Sequence, residues 1–275
     1  MESVMDSSLA VQAATQHSSL LNRLWRVVAT GFCFALFGLG GLLLSILWFT
    51  SLRLIVRSEV VRTQITQQSI RYSFQLFLRI AKFLGVFDYR IENNELFSED
   101  SGCLIVANHP SLLDYVLLAA HMPRCDCIVK EALLNNIFVS GVIKSAGYLV
   151  NAESDKLLAH CKARLGRGGS ILIFPEGTRT TAGCALNLQR GAANIALHSG
   201  CDIRVVYIDC NPPMLTKELK WYNIPPVKPQ FNIIVQNKIN SNDFIQDSDL
   251  SLALAARRLT KHLTCALMPE SKRKS

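Results

Sequence analysis

Cys103-Leu104-Ile105-Val106-Ala107-Asn108-His109-Pro110-Ser111-Leu112-Leu113-Asp114 decides the fold. Its first five residues are apolar, the right length for a short buried strand and too few for a helix. Asn108-His109-Pro110-Ser111 ends that run, because proline has no amide donor and Asn and Ser favour turns. A helix is expected near 111–121, with Ser111 as its N-cap. A strand feeding a helix through a polar turn is the repeating unit of a layered α/β domain.

The unit recurs along the chain. Strands are expected near 87–92, 103–107, 125–129, 147–151, 170–174, 203–209 and 230–236. Helices are expected near 111–121, 131–145, 154–165, 187–199 and 248–267. The fold class is therefore α/β, a mostly parallel sheet flanked by helices, with an N-terminal membrane-associated helical anchor. The proline-rich stretch 212–229 is an irregular excursion, in which Trp221 and Tyr222 either line a groove or belong to a surface loop.

Upstream of that domain the composition differs. Val27 to Leu52 carries no charged side chain, which is about 39 Å of helix against a hydrocarbon core of about 30 Å. It is too long for the apolar part of a signal peptide. Arginines flank both ends (Arg23, Arg26, Arg53 and Arg57), so the positive-inside rule gives no orientation. Gly38, Gly40 and Gly41 lie near its middle as sites for a bend, so the segment either spans with tilt or dips in and returns. From Ile55 to Gly85, Ile65, Tyr72, Leu76, Ile80 and Phe83 recur at helical spacing among Arg57, Arg62, Arg71, Arg79 and Lys82. That pattern reads as a basic amphipathic helix lying in the interface, or else as a helix packing on a core. The expected organisation is a mobile N-terminus at 1–22, membrane-embedded and interfacial helices at 23–86, a catalytic domain at 87–268 and a basic tail at 269–275.

Net charge is +8, with 49% apolar and 18% charged residues. An excess of cations attracts polyanions, and the apolar N-terminal run favours lipid over nucleic acid. No RNP-type aromatic motif or zinc-finger spacing occurs, so no nucleic-acid partner is expected. Nine scattered cysteines form no disulfide framework and read as small core hydrophobes kept reduced. His121, Cys125, Asp126 and Cys127 match no standard zinc spacing and read as core thiols and a surface charge. Gly166-Arg167-Gly168-Gly169 lacks the Lys-Ser/Thr of a P-loop and joins a helix to a strand.

Two polar turns follow strands, at the edge of a parallel sheet where ligands bind. In the first, His109 can accept a proton near neutral pH, and Asp114 can fix its tautomer and stabilise the imidazolium. Ser111-x-x-Asp114 also has capping-box spacing, which would make Asp114 a helix cap. The second turn is Phe174-Pro175-Glu176-Gly177-Thr178-Arg179. Gly177 permits a tight backbone, Thr178 offers a hydroxyl, and Arg179 is a forked donor suited to phosphate. Glu176 can accept from a hydroxyl or pair with Arg179. Together the turns suggest acyl transfer from a thioester to an alcohol.

Over roughly 97–212 the chain resembles the lysophospholipid acyltransferase family, whose type members are 1-acylglycerol-3-phosphate acyltransferases, in its bacterial form. The two turns carry the resemblance. Val129-Lys130-Glu131-Ala132-Leu133, Gly147-Tyr148-Leu149-Val150 and Gln189-Arg190-Gly191-Ala192-Ala193 support it. The resemblance implies that His109 and Asp114 are the catalytic dyad and that Glu176, Gly177, Thr178 and Arg179 shape the acceptor site. It implies an acyl-CoA or acyl-acyl carrier protein donor, a membrane-lipid acceptor, and neither metal nor cofactor. It also implies an inner-membrane enzyme with its catalytic domain on the cytoplasmic face.

The chain departs from the family pattern twice. Where the second block usually ends in a phosphate-holding arginine, this chain has Val150-Asn151-Ala152-Glu153. The strand Ile203–Ile208 lacks the usual internal proline, and Pro212 and Pro213 come later. Arg204 and Lys130 are the cations available to replace the missing arginine. Otherwise the acceptor is a non-phosphorylated lipid or a polyketide- or polyene-type product. A non-catalytic membrane-binding module of the same fold is a further reading, which the intact His109 and Asp114 argue against. No Gly-x-Ser-x-Gly elbow supports a serine hydrolase.

Overall fold

The strand Leu104–Ala107 is buried along its whole length, which is why its sequence is apolar without alternation. In the computed structural model, residues 20–151, 154–181, 184–245 and 251–268 are described. The expected tail at 269–275 and most of the expected N-terminal segment, 1–19, lie outside the described residues. The strands are β1 (Asp88–Glu92), β2 (Leu104–Ala107), β3 (Asp126–Lys130), β4 (Leu149–Asn151), β5 (Ile171–Ile173), β6 (Asp202–Asn211) and β7 (Gln230–Asn240). They form one sheet in the order β1-β7-β6-β2-β5-β3-β4. Neighbours pair in parallel except β6 and β7, which are antiparallel.

The helices are α1 (Leu20–Leu43), α2 (Thr50–Ile55), α3 (Glu59–Phe83), α4 (Asp114–His121), α5 (Ser140–Ala146), α6 (Ser154–Gly166), α7 (Gly191–Ser199) and α8 (Leu252–Ala266). Alternation within the central strands sorts the core into two layers. Ile105, Ala107, Leu172, Val206 and Ile208 pack against α1, α3 and α4. Leu104, Val106, Ile171, Ile203 and Val205 pack against α6, α7 and α8. Full burial of each such side chain is worth about 1.5–3 kcal/mol.

The expected helix 131–145 is interrupted. A 3-10 turn at Glu131–Asn135 is followed by α5 from Ser140. Asn136 makes the break, its side-chain carbonyl accepting from the Phe138 amide at 3.0 Å.

The N-terminal segment is a hairpin laid along the domain. A π-helical turn at Leu44–Phe49 joins α1 to α2, and the chain then reverses into α3. Antiparallel contacts run its length. Trp25 Nε1 donates to Leu84 O at 3.0 Å, Phe37 stacks on Phe74, and Trp48 Nε1 donates to Ser69 Oγ at 2.9 Å. The glycines of α1 mark no bend, since 20–43 is regular helix. Gly41 instead permits close approach, since a Cβ there would lie 2.9 Å from the Phe138 carbonyl oxygen. Ala29 and Cys33 of α1 share a core with Phe77, Leu78 and sheet residues. On α3, Ile70, Phe77 and Leu78 are buried while Tyr72, Leu76 and Phe83 are exposed. One face of this helix thus packs on the core, as the second reading expects.

Leu21–Ile55 is long and apolar enough to cross a membrane, with mean hydropathy 2.2 and only 11% of its most apolar window buried. Trp221 is half-exposed in an irregular segment, in keeping with the surface-loop reading, and its ring meets α1. It packs on Gly31 of α1 and tilts against Phe34 with ring centroids 6.0 Å apart.

Candidate active site

The site forms where β2 and β5 end. As the chain leaves β2, the Asn108 side chain both donates to and accepts from the Ile208 backbone, each at 2.7 Å. This pair fixes the exit of β2 against β6 and aims the next residue outward. His109 follows, and its ring stacks on Phe174 at the end of β5 with centroids 4.2 Å apart.

His109 Nδ1 lies 2.8 Å from Asp114 Oδ2, which also accepts from the Ser111 amide at 2.7 Å. The helix therefore begins at Asp114 and not at the expected Ser111. Asp114 reaches back as a cap and meets the imidazole with the same oxygen. The catalytic and the capping readings of Asp114 are thus compatible. A carboxylate partner makes Nδ1 the proton-bearing nitrogen and leaves Nε2 with its lone pair. The His109 side chain is 19% exposed and that of Asp114 is 0%. Burial pushes the Asp114 carboxyl up to about 6, against the opposing pull of His109 and the Ser111 amide. Its second oxygen, Oδ1, is buried without a hydrogen-bond partner.

The second turn clasps the first. Glu176 Oε1 accepts from the His109 backbone amide at 3.0 Å and from Thr180 Oγ1 at 2.7 Å. Thr180 N donates to His109 O at 2.7 Å. Glu176 is thus engaged in holding the histidine turn, and no ion pair joins it to Arg179 among the described contacts. Gly177 adopts φ 67°, a left-handed conformation that favours glycine, and its amide closes the turn onto Phe174 O. Thr178 is exposed at the tip. Arg179 Nη1 donates to Leu215 O and Thr216 O at 2.9 and 2.8 Å. This ties the 212–216 segment to the site.

His109, Asp114 and Glu176–Arg179 therefore meet at one edge of the sheet. Ser111, expected only as an N-cap, also builds it, as do Asn108, Phe174, Thr180 and Leu215, to which the sequence assigns no site role. The stacking and clamp roles of Phe174 and Thr180 depend on the pairing of β2 with β5, which motif spacing does not encode.

The candidate replacement cations separate. Arg204 is buried at the opposite end of the sheet, held by Asp100 at 2.7 Å, and cannot reach a ligand at this edge. Lys130 is exposed at the carboxyl end of β3, the same end as His109. Asn151 ends β4; Ala152 and Glu153 lie outside the described residues.

Among the described residues no group of three or more His, Cys, Asp or Glu converges as a metal site. Asp126 is no surface charge but is buried, with Gln67 Nε2 at 2.8 Å and Arg164 at 3.6 Å. Burial pushes the Cys103, Cys127 and Cys210 thiols up to about 12. Of the nine cysteines only Cys184 and Cys265 are exposed.

Residues 88–209 match the family model described as Acyltransferase. The chain is 32% identical over 139 residues to the 1-acyl-sn-glycerol-3-phosphate acyltransferase of Helicobacter pylori, covering 48% of this chain and 56% of that protein. It is 30% identical over 139 residues to the human 1-acyl-sn-glycerol-3-phosphate acyltransferase beta, covering 48% and 50%. The chain thus spans about half the length of the curated relatives it matches. Its fold is similar to the crystal structure of the 1-acyl-sn-glycerophosphate (LPA) acyltransferase of Thermotoga maritima. The TM-score is 0.63 at 18% identity, with 91% of this chain and 99% of that one covered.

Proposed function

We propose that this chain, a member of the acyltransferase family by its residues 88–209, transfers a fatty acyl group from a thioester to a hydroxyl of a lysophospholipid at a membrane surface. One observation carries the reading. His109 is held through Nδ1 by a sealed carboxylate, while its other nitrogen stays available at the edge of the sheet where ligands bind.

The chemistry follows from that placement. Nε2 takes the acceptor hydroxyl proton as the oxygen adds to the thioester carbonyl. Asp114 stabilises the imidazolium that forms. The tetrahedral adduct collapses, the C–S bond breaks, and the thiolate leaves with the imidazolium proton. The products are an ester and a free thiol. Glu176 and Thr180 act here by positioning the His109 backbone. Thr178, Arg179 and Lys130 are the groups assigned to an acceptor phosphate.

The lipid setting rests on the hairpin. Leu21, Leu24, Phe32, Leu39, Ile46 and Leu47 are each more than half exposed, a continuous apolar face unlike a soluble surface. Leu112, Leu133, Ile137 and Phe138 extend exposed apolar surface toward the catalytic edge. In this reading the apolar face enters the inner membrane from the cytoplasmic side, and the acceptor reaches His109 from the bilayer.

A second reading, acylation of a non-phosphorylated acceptor, is favoured by Val150-Asn151-Ala152-Glu153, which departs from the phosphate-holding arginine usual in the family pattern the chain resembles. An acceptor panel decides. Thiol release from acyl-CoA or acyl carrier protein should require an acceptor, be fastest with lysophosphatidate, and show a raised KM in Arg179→Ala. A preference for neutral acceptors, with KM unmoved in Arg179→Ala, establishes the second reading. Equal release with and without every acceptor rules out transfer.

A further inference from the structure

On the layer opposite the apolar hairpin, a groove of about 490 Å³ lies between α8 and the residues 188–190 that lead into α7. Leu188 and Leu254 form its walls, and Arg190, Arg257, Arg258 and Lys261 line it with no acidic side chain among them. All four cations are exposed. We infer that this groove seats the nucleotide phosphates of an acyl-CoA donor, an inference that rests on the acyl-transfer reading and selects between its two donors.

Location is the first argument. The Gln189 amide donates to Pro175 O at 2.8 Å, so α7 starts directly beside the turn that clasps His109. Leu188 and Arg190, on either side of Gln189, line the groove, so one of its walls adjoins that turn. The layer is the second. α7 and α8 cover the Leu104, Val106 and Ile171 face, whereas α1 and α3 cover the other. A polyanion held here arrives from water, on the side away from the surface that would meet lipid headgroups.

Chemistry is the third argument. Arg190, Arg257 and Lys261 present their charges to one groove and can address a polyanion together. Arg190 stands at the N-cap of α7 without a side-chain capping bond, so the positive end of that helix adds to the field. The groove is concave and part apolar, which suits a base stacked between leucines with phosphates on the guanidinium groups. The acidic helix of a carrier protein is convex and would meet a flat basic surface better.

The test uses the full chain in detergent micelles. Calorimetric titration with CoA should show binding that weakens roughly tenfold or more in Arg257→Glu/Lys261→Glu, since each lost charge-assisted contact is strong. The same variant should raise KM for palmitoyl-CoA by a similar factor. With S-palmitoyl-pantetheine, which lacks the nucleotide, its effect should be about tenfold smaller. If the double reversal does not fold, Arg257→Gln/Lys261→Gln should give the same pattern with smaller amplitude. Unchanged CoA binding overturns the proposal. So does an equal loss with both donors, or a defect confined to acyl-acyl carrier protein. Should wild-type protein release no thiol with any acceptor, the acyl-transfer reading fails while the CoA titration still decides the groove.

Discussion

Asp100 and Asp114 flank the same strand, one before β2 and one after it, and both side chains are sealed from water at 1% and 0% exposure. Their partners differ. Arg204 donates to Asp100 through Nε and Nη2 at 2.7–3.1 Å, and Lys238 adds a second full charge at 3.3 Å. Asp114 has one imidazole and one backbone amide on Oδ2, and nothing on Oδ1. Asp100 is a saturated carboxylate that ties strands together. Asp114 is left under-satisfied beside a base, and its pKa is pushed up to about 6. Buried groups that break the rule of full satisfaction tend to mark function, since folding alone would not select them.

The largest contrast should come from neutralising each site. Asp114→Asn should lower turnover by about 10²–10⁴-fold, because the imidazolium loses its counter-charge and the tautomer its anchor. Its melting temperature should hold or rise, since a charge no longer has to be buried. Arg204→Ala should do the opposite. It strands Asp100 without its principal partner and should cost about 3–5 kcal/mol in chemical denaturation, with the folded fraction still active. If Asp114→Asn is as destabilised as Arg204→Ala and nearly as active as wild type, Asp114 is a helix cap.

A smaller effect follows from pH. Asp114 is raised from 3.8 to about 6, so it gains a proton as pH falls through about 6 and loses its hold on Nδ1. The sign is a fall in kcat/KM on the acid side and a plateau above it. A profile between about pH 5 and 8 should show this limb in wild type and a displaced or absent limb in Asp114→Asn. A flat wild-type profile would detach Asp114 from catalysis.

The same contrast shows what was legible in the chain. The sheet could be read because β2 and its neighbours are short apolar runs set between polar turns, and a strand's pattern is local. His109 and Asp114 could be read because five residues and one turn hold them together. Arg204 could not: its partner lies 104 residues away, and only the pairing of β2 with β6 reveals that its charge is structural. The bonds of Glu176 were hidden for a similar reason. Its carboxylate looked free for a hydroxyl or for Arg179, but the adjacency of β2 and β5 delivers the His109 amide to it first. The break at Asn136 and the start of α4 at Asp114 turn on single side-chain to backbone bonds, which periodicity does not register.

The most direct measurement is acceptor-dependent thiol release from the acyl donor by His109→Ala, on protein whose melting temperature matches wild type. Removing the base should cut turnover by about 10²–10⁴-fold or more while the fold persists. Turnover within a few-fold of wild type would contradict the account, because the one side chain placed to receive the hydroxyl proton would then be dispensable.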